Sequence, residues 1–300
     1  MNATRKSVIE PRIAVESGVA RLVRRHDRDR FLSALFAPPE RRGELLALYA
    51  FNHEVAKTRE VVSEPTLGEI RLQWWRDCID AVYAGNAPRR HEVLEPLAAA
   101  IRRRGLTPAH FARLIEARRR DLGDEAPASL AALEDYAEAT SAGLVWLALE
   151  VLGERGEAAM AAGRATGIAQ ALIGLLRAVP LHARAKRLYL PRDLTAAARL
   201  RVERDLFELR SSAALRAVVR EIAAAAARHL ATARALRGEA PRAALPALLP
   251  AVLAEADLKR LARAGYDPFA ARMARPDPWR PWRLTVAALK SRLDGRSAAC

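Results

Sequence analysis

Three hundred residues allow one large domain or two small ones, and with 51% of them hydrophobic a sizeable core can form. Aromatic residues are scarce at 5% while Ala, Leu and Arg abound, a mix that favours helix and argues against strand. Lys and Arg number 50 against 35 Asp and Glu, a net charge of +15, which suits an anionic partner (nucleic acid, a membrane surface or a diphosphate) and equally suits a solvated Arg-rich surface.

In chain order, residues 1–27 read as a polar lead-in with a short amphipathic piece around Ile13 to Val23, and 28–293 as the helical domain. A short helix at 30–36 ends at Ala37-Pro38-Pro39, and Pro39 is suited to open the next, from about Glu40 to Val61. Ser63-Glu64-Pro65 breaks the pattern. Thr66, with Glu69 three residues on, reads as a capping box for a helix carrying Leu67, Ile70, Trp74, Ile79 and Val82. Trp74 and Trp75 point about 100° apart, so at least one belongs to the core. Helices follow at about 91–103 and 108–121, the latter with Thr107 as cap and Pro108 first. Ser129 caps a helix ending at Gly153, and another spans about 156–182. Ala-rich helices occupy about 205–237 and 242–264, the second bent or broken at Pro246 and Pro250, and a last one begins near Trp282. Residues 267–282 are irregular, and their Trp279 and Trp282, flanked by Arg280 and Arg283, fit either packing against the bundle or an interfacial anchor.

No strand pattern, repeat or Gly-rich phosphate loop appears, so the chain reads as one all-α domain. Cys78 and Cys300 form no C-x-x-C pair, which supports neither a disulfide framework nor a zinc cage. His26, His53, His91, His110 and His229 show no ligand spacing. No apolar run approaches the ~20 residues of a membrane span, and the N-terminus lacks an apolar signal region.

The chemistry concentrates in two stretches. The first is Leu48-Tyr49-Ala50-Phe51 followed by Ala56-Lys57-Thr58-Arg59-Glu60. The second runs Leu176-Arg177-Ala178-Val179-Pro180-Leu181-His182, then Arg184, Lys186, Arg187 and Tyr189-Leu190-Pro191. Together they resemble the paired signatures of the squalene/phytoene synthase family, the head-to-head prenyltransferases. The resemblance covers about residues 25–290 and implies an isoprenoid-synthase helical bundle around a central cavity. In that family each signature carries an Asp-x-x-x-Asp pair. Spacing i, i+4 puts both carboxylates on one helix face, where they hold the Mg²⁺ that neutralises a departing diphosphate. Here Ala56 and Glu60 stand at the first pair and Ala178 and His182 at the second. Alanine offers no oxygen, and histidine is a poor ligand for so hard a cation. Pro180 should also kink the helix and re-aim positions 181–187.

Asn52-His53-Glu54, Val62-Ser63-Glu64 and Arg71-Leu72-Gln73-Trp74-Trp75 are similar to a divergent branch of the family, which lacks the metal-binding aspartates and includes a respiratory complex I assembly factor. This implies a binding or assembly role, with a respiratory-complex subunit as partner and no cofactor. Two alternatives stay open. One is an active prenyltransferase using Mg²⁺ at a rearranged site of Glu60, Glu54 and Asp77. The other is a prenyl or lipid carrier whose ligand is held by Arg177, His182, Arg184, Arg187 and Tyr189; arginine can grip phosphate directly. The bland reading of those arginines is a helix end attracting cations, and of His182 a side chain filling an aspartate's space and bonding nearby backbone. The expected location is cytoplasmic, peripheral on the inner face of a membrane, with no specific nucleic acid bound.

Overall fold

The computed structural model describes residues 17–62 and 64–297, with side chains to 291. Among these residues every regular element is helical. The described residues open with α1 (Gly18–His26) and α2 (Arg28–Ala34). Ser17 Oγ accepts the Ala20 N–H at 3.3 Å, and Asp27 Oδ1 accepts that of Arg30 at 3.2 Å, so each helix has a side-chain cap. Val19, Ala20 and Val23 of α1 are buried in the core. The amphipathic piece expected around 13–23 is therefore an integral helix, its first residues falling outside the described region.

Helix α3 (Pro39–Ala56) starts on Pro39 as expected but stops five residues short of Val61. Thr58–Val61 form a separate single turn, α4. Helix α5 (Pro65–Tyr83) corrects another expectation: Pro65 opens the helix instead of preceding it, and Thr66 is not its cap. After α6 (Leu94–Arg104) comes α7 (Pro108–Ala117), which tightens into a 3₁₀ turn, Arg118–Leu122. Thr107 holds the N-cap position of α7 as expected, but its hydroxyl donates to Glu150 instead of bonding the helix backbone. Ser129 does cap α8 (Leu130–Ala137), by accepting from the Ala132 N–H at 3.2 Å. A π turn, Glu138–Ala142, leads into α9 (Gly143–Leu152).

Helix α10 (Glu157–Arg184) continues through Pro180, so the proline does not end it. Its length and composition match a membrane span, yet 61% of the apolar window is buried and its main packing partner is α12. The central helix of a helical core meets both criteria. Short α11 (Arg192–Ala197) and a π turn at 202–207 precede α12 (Ala213–Arg237), which Ser212 caps. The left-handed Leu209, φ 57°, breaks the longer helix expected from 205. Proline splits the next stretch into α13 (Leu245–Leu248) and α14 (Pro250–Arg263), and α15 (Ala271–Ala274) and α16 (Arg280–Ser297) finish the bundle.

The core has two large lobes and a small third cluster of Leu249, Leu253 and Leu284. In the first, Phe51 of α3 meets Trp75 and Phe111 edge-on, each at 5.4 Å between centroids. In the second, Leu172, Ile173 and Leu176 of α10 cluster with Val218, Val219 and Ile222 of α12. Trp146 packs against both lobes. Trp75 is the core member of its pair, while Trp74 is half-buried beside His91. Where α10 crosses the π turn, Gly167 is required, because a Cβ there would overlap the backbone of Ala142. Trp279 and Trp282 do not pack into the bundle; each is 62% exposed.

Candidate functional site

The first signature is divided between two elements. Ala56 is the last residue of α3, and Glu60 lies exposed on α4. Positions 56 and 60 thus share no continuous helix face, quite apart from the missing carboxylate. The neighbouring acids are engaged elsewhere. Glu54 is buried between Lys57 at 2.5 Å and Arg71 at 2.7 Å. Asp77 accepts from Gln73 at 2.7 Å. Glu60, Glu54 and Asp77 therefore do not form the rearranged site considered above.

The second signature closes α10. Lys186 takes a left-handed φ of 52°, and Arg187 N–H bonds back to His182 O at 2.9 Å. This is the turn that ends many helices, built here without glycine. It sends Arg187 toward the first signature, where its guanidinium donates to Arg59 O at 3.4 Å. The framing of the two motifs is kept, with no carboxylate pair between them.

The expected ligand-binding side chains do not form one cluster. Arg184 is exposed. Arg177 pairs with Asp257 at 3.1 Å and Asp29 at 3.6 Å. The His182 ring packs against that of Tyr189, 4.5 Å between centroids and tilted by 41°, and its Nδ1 is buried without a partner, so the expected bond to backbone is not made there. Burial, reinforced by Arg187, lowers the His182 pKa to about 4, which keeps the ring neutral at pH 7. His182, Arg187 and Tyr189 surround an apolar space of only about 10 Å³, closed in by Leu133, Leu176 and Ile222. That is room for about one water, against the roughly 300 Å³ or more of a small-molecule pocket.

Larger spaces adjoin it: a mainly apolar recess of about 410 Å³ bordered by Asp121, Ala132, Tyr136, Tyr189 and Arg192, and a polar cavity. The polar cavity, of about 470 Å³, is lined by Arg25, Arg28, Arg30, Arg118 and Arg177, with Asp27, Asp29, Asn52, Ser141 and Gln170. Arg30 is held by Asp27 at 2.6 Å and reaches Gln170 at 3.2 Å. Asn52 is buried, and its Oδ1 has no hydrogen-bond partner. Behind the cavity, Asp121 of the 3₁₀ turn accepts from Tyr136 Oη at 2.8 Å, Arg118 at 3.1 Å and Tyr189 Oη at 3.2 Å. This network ties the exit of the second signature to α7 and α8. Burial and the adjacent Asp121 push the Tyr189 hydroxyl up, so it stays protonated and donates. Sequence reasoning missed Arg25, Arg28, Arg30, Arg118, Asp121 and Tyr136. The run of arginines was visible, but nothing in it marked which ones face inward.

The Mg²⁺ of the prenyltransferases does not fit these residues. Alanines occupy two ligand positions and a neutral histidine a third. Asp27 and Asp29, the carboxylates on the polar cavity, are committed to Arg30 and to Arg280 and Arg177. Among the described residues, no group of three or more His, Cys, Asp or Glu is placed to hold a metal ion.

The all-helical bundle, with both signature segments facing one another and their carboxylates replaced, defines an isoprenoid-synthase fold with an altered site. The chain belongs to the squalene/phytoene synthase family, whose model matches residues 23–286. It is 34% identical over 271 residues to NADH dehydrogenase (ubiquinone) complex I, assembly factor 6, of Bos taurus, covering 90% of this chain and 81% of that one. Among solved structures, a dehydrosqualene synthase complex superposes with a TM-score of 0.80 at 18% identity, covering 92% of this chain and 95% of that one. A squalene synthase from Alicyclobacillus acidocaldarius gives 0.73 at 23%, covering 83% and 94%. Their identity is low enough that they speak for the fold alone.

Proposed function

We propose that this chain is an assembly factor for a respiratory NADH dehydrogenase complex, acting by binding and without a metal. The observation that carries the reading is the 34% identity to the bovine assembly factor across 90% of the chain. The site supports it independently. A prenyltransferase must neutralise the charge leaving with diphosphate, and at positions 56, 60, 178 and 182 the only carboxylate is Glu60, exposed on its own turn. The apolar space against His182 and Arg187 is too small for a prenyl chain, while the recess of about 410 Å³ that reaches Tyr189 is bordered by Arg119, Arg120, Asp121 and Arg192. What remains is a rigid helical body with a cationic recess, suited to holding a partner.

The test is deletion of the gene in its own organism, followed by native electrophoresis of the respiratory complexes. Loss of assembled NADH dehydrogenase, restored by the full chain, is expected; normal assembly sinks the proposal. In parallel, purified protein with Mg²⁺ should release no diphosphate from farnesyl or geranylgeranyl diphosphate. Turnover would bring back the prenyltransferase reading. Calorimetric binding of a non-hydrolysable farnesyl diphosphate analogue, unchanged by a chelator, would point to a carrier.

A further inference from the structure

We infer that the outer face of α16 is a docking surface for an anionic lipid membrane. Trp282, Val286 and Leu289 fall within about 60° of one another on a helical projection, and Trp279 precedes them by one turn on the same side. Leu284 and Ala288, buried apolar residues of α16, lie on the opposite side. The two tryptophans are each 62% exposed and Leu289 is 50% exposed. Exposed prolines at 276, 278 and 281 extend the apolar surface and stiffen it.

This face is held rigidly from behind. Arg280, the first residue of α16, is buried and donates to Asp29 and Asp257, both at 2.6 Å. Asp277 Oδ1 accepts the Trp279 N–H at 3.0 Å, and Oδ2 meets Arg283 Nε at 3.3 Å. The turn presenting the tryptophans is thus built, at the cost of leaving two indoles in water.

Charge selects the occupant. The exposed cations of residues 280–291 are Arg283 and Lys290, with no acid in that stretch; Arg280 is committed to Asp29 and Asp257. Exposed Arg272 and Arg275 lie just before them, and the sole acid from 271 to 291 is Asp277, already tied to Arg283. Lys290 and Arg283 flank the apolar stripe on one side. Indole rings prefer the depth of the lipid headgroups, and flanking Lys and Arg draw them to anionic lipid. A net charge of +15 adds long-range attraction to such a surface. The surface therefore lays α16 along an anionic membrane surface as a peripheral contact. This reading does not depend on the assembly role.

The test is flotation of the full-length protein with phosphatidylcholine vesicles, alone and mixed roughly 7:3 with phosphatidylglycerol. Binding to the mixed vesicles, with a blue shift of tryptophan fluorescence, is expected. A Trp279→Ser/Trp282→Ser variant should lose about tenfold or more in partitioning. Arg283→Ser/Lys290→Ser should erase the preference for anionic vesicles. Leu67→Ser/Ile70→Ser, on the exposed side of α5, should change nothing. Should the tryptophan variant fail to fold, Leu289→Ser reads the same face. No binding by the natural chain would overturn the inference, as would full binding by both the tryptophan and Leu289 variants. So would a dimer that these tryptophans hold together and that does not bind vesicles.

Discussion

Removing the Arg280 guanidinium tests how α16 and the signature helix α10 are joined. Asp257, only 2% exposed, receives Arg280 at 2.6 Å, Arg177 at 3.1 Å and Arg260 at 3.5 Å. Asp29 receives Arg280 at 2.6 Å and Arg177 at 3.6 Å. Truncating one partner of a buried pair costs about 3–5 kcal/mol, because the other charge is left unpaired in a poor solvent. Two arginines remain on Asp257, so Arg280→Met should cost less, about 2–3 kcal/mol, with a melting point lower by roughly 5 °C in a chain this long. Urea titration monitored by circular dichroism reads this directly. The pH dependence separates an electrostatic loss from a packing loss. Burial already raises the Asp29 pKa, and Arg280 followed by Arg177 opposes that rise. Without Arg280 the folded-state pKa climbs further, so the folded variant binds a proton more readily than the unfolded chain. The penalty should therefore be largest at neutral pH and shrink as pH falls through the raised pKa toward 4. A loss below about 0.5 kcal/mol, or one independent of pH, would refute the account.

Acidification should also weaken the native chain through His182. Its folded pKa of about 4 lies below the ordinary 6.5, so its share of stability is complete above pH 6.5 and disappears as pH falls through 4, up to about 3 kcal/mol. His182→Gln should flatten that limb of the stability-versus-pH curve. Gly167→Ala should cost about 1–3 kcal/mol in chemical denaturation, since α10 must back away from Ala142. Tyr136→Phe removes a buried donor to Asp121 and should cost about 1–2 kcal/mol, whereas Tyr189→Phe, whose bond is longer at 3.2 Å, should cost less. Reversal of that order would show that Tyr189 is the main partner of Asp121.

The fold class was legible because alanine, leucine and helical periodicity leave little choice of local structure. The family was legible because Arg177, Arg187 and Tyr189-Leu190-Pro191 keep their spacing. The absence of aspartate at 56, 178 and 182 needed no coordinates, since a side chain without an oxygen cannot bind a hard cation anywhere. Helix boundaries were harder. Pro65 can precede a helix or begin one, and only its neighbours decide. The stop at Ala56, which separates positions 56 and 60, has no local marker at all.

Which charges meet depended on tertiary structure. Arg177, Arg184 and Arg187 are close in sequence, yet one pairs with α2 and α14, one is exposed and one reaches α4. Asp121, unremarkable within Arg-Arg-Arg-Asp, becomes the acceptor for two tyrosines because α8 and the end of the second signature converge on it. Trp279 and Trp282 show the same division. Their identity and basic flanks were readable from the chain, but whether they faced core or solvent was set by the long-range bonds of Arg280 to Asp29 and Asp257, residues far away in sequence. Local chemistry determines which groups are present; only the packed bundle determines which of them meet.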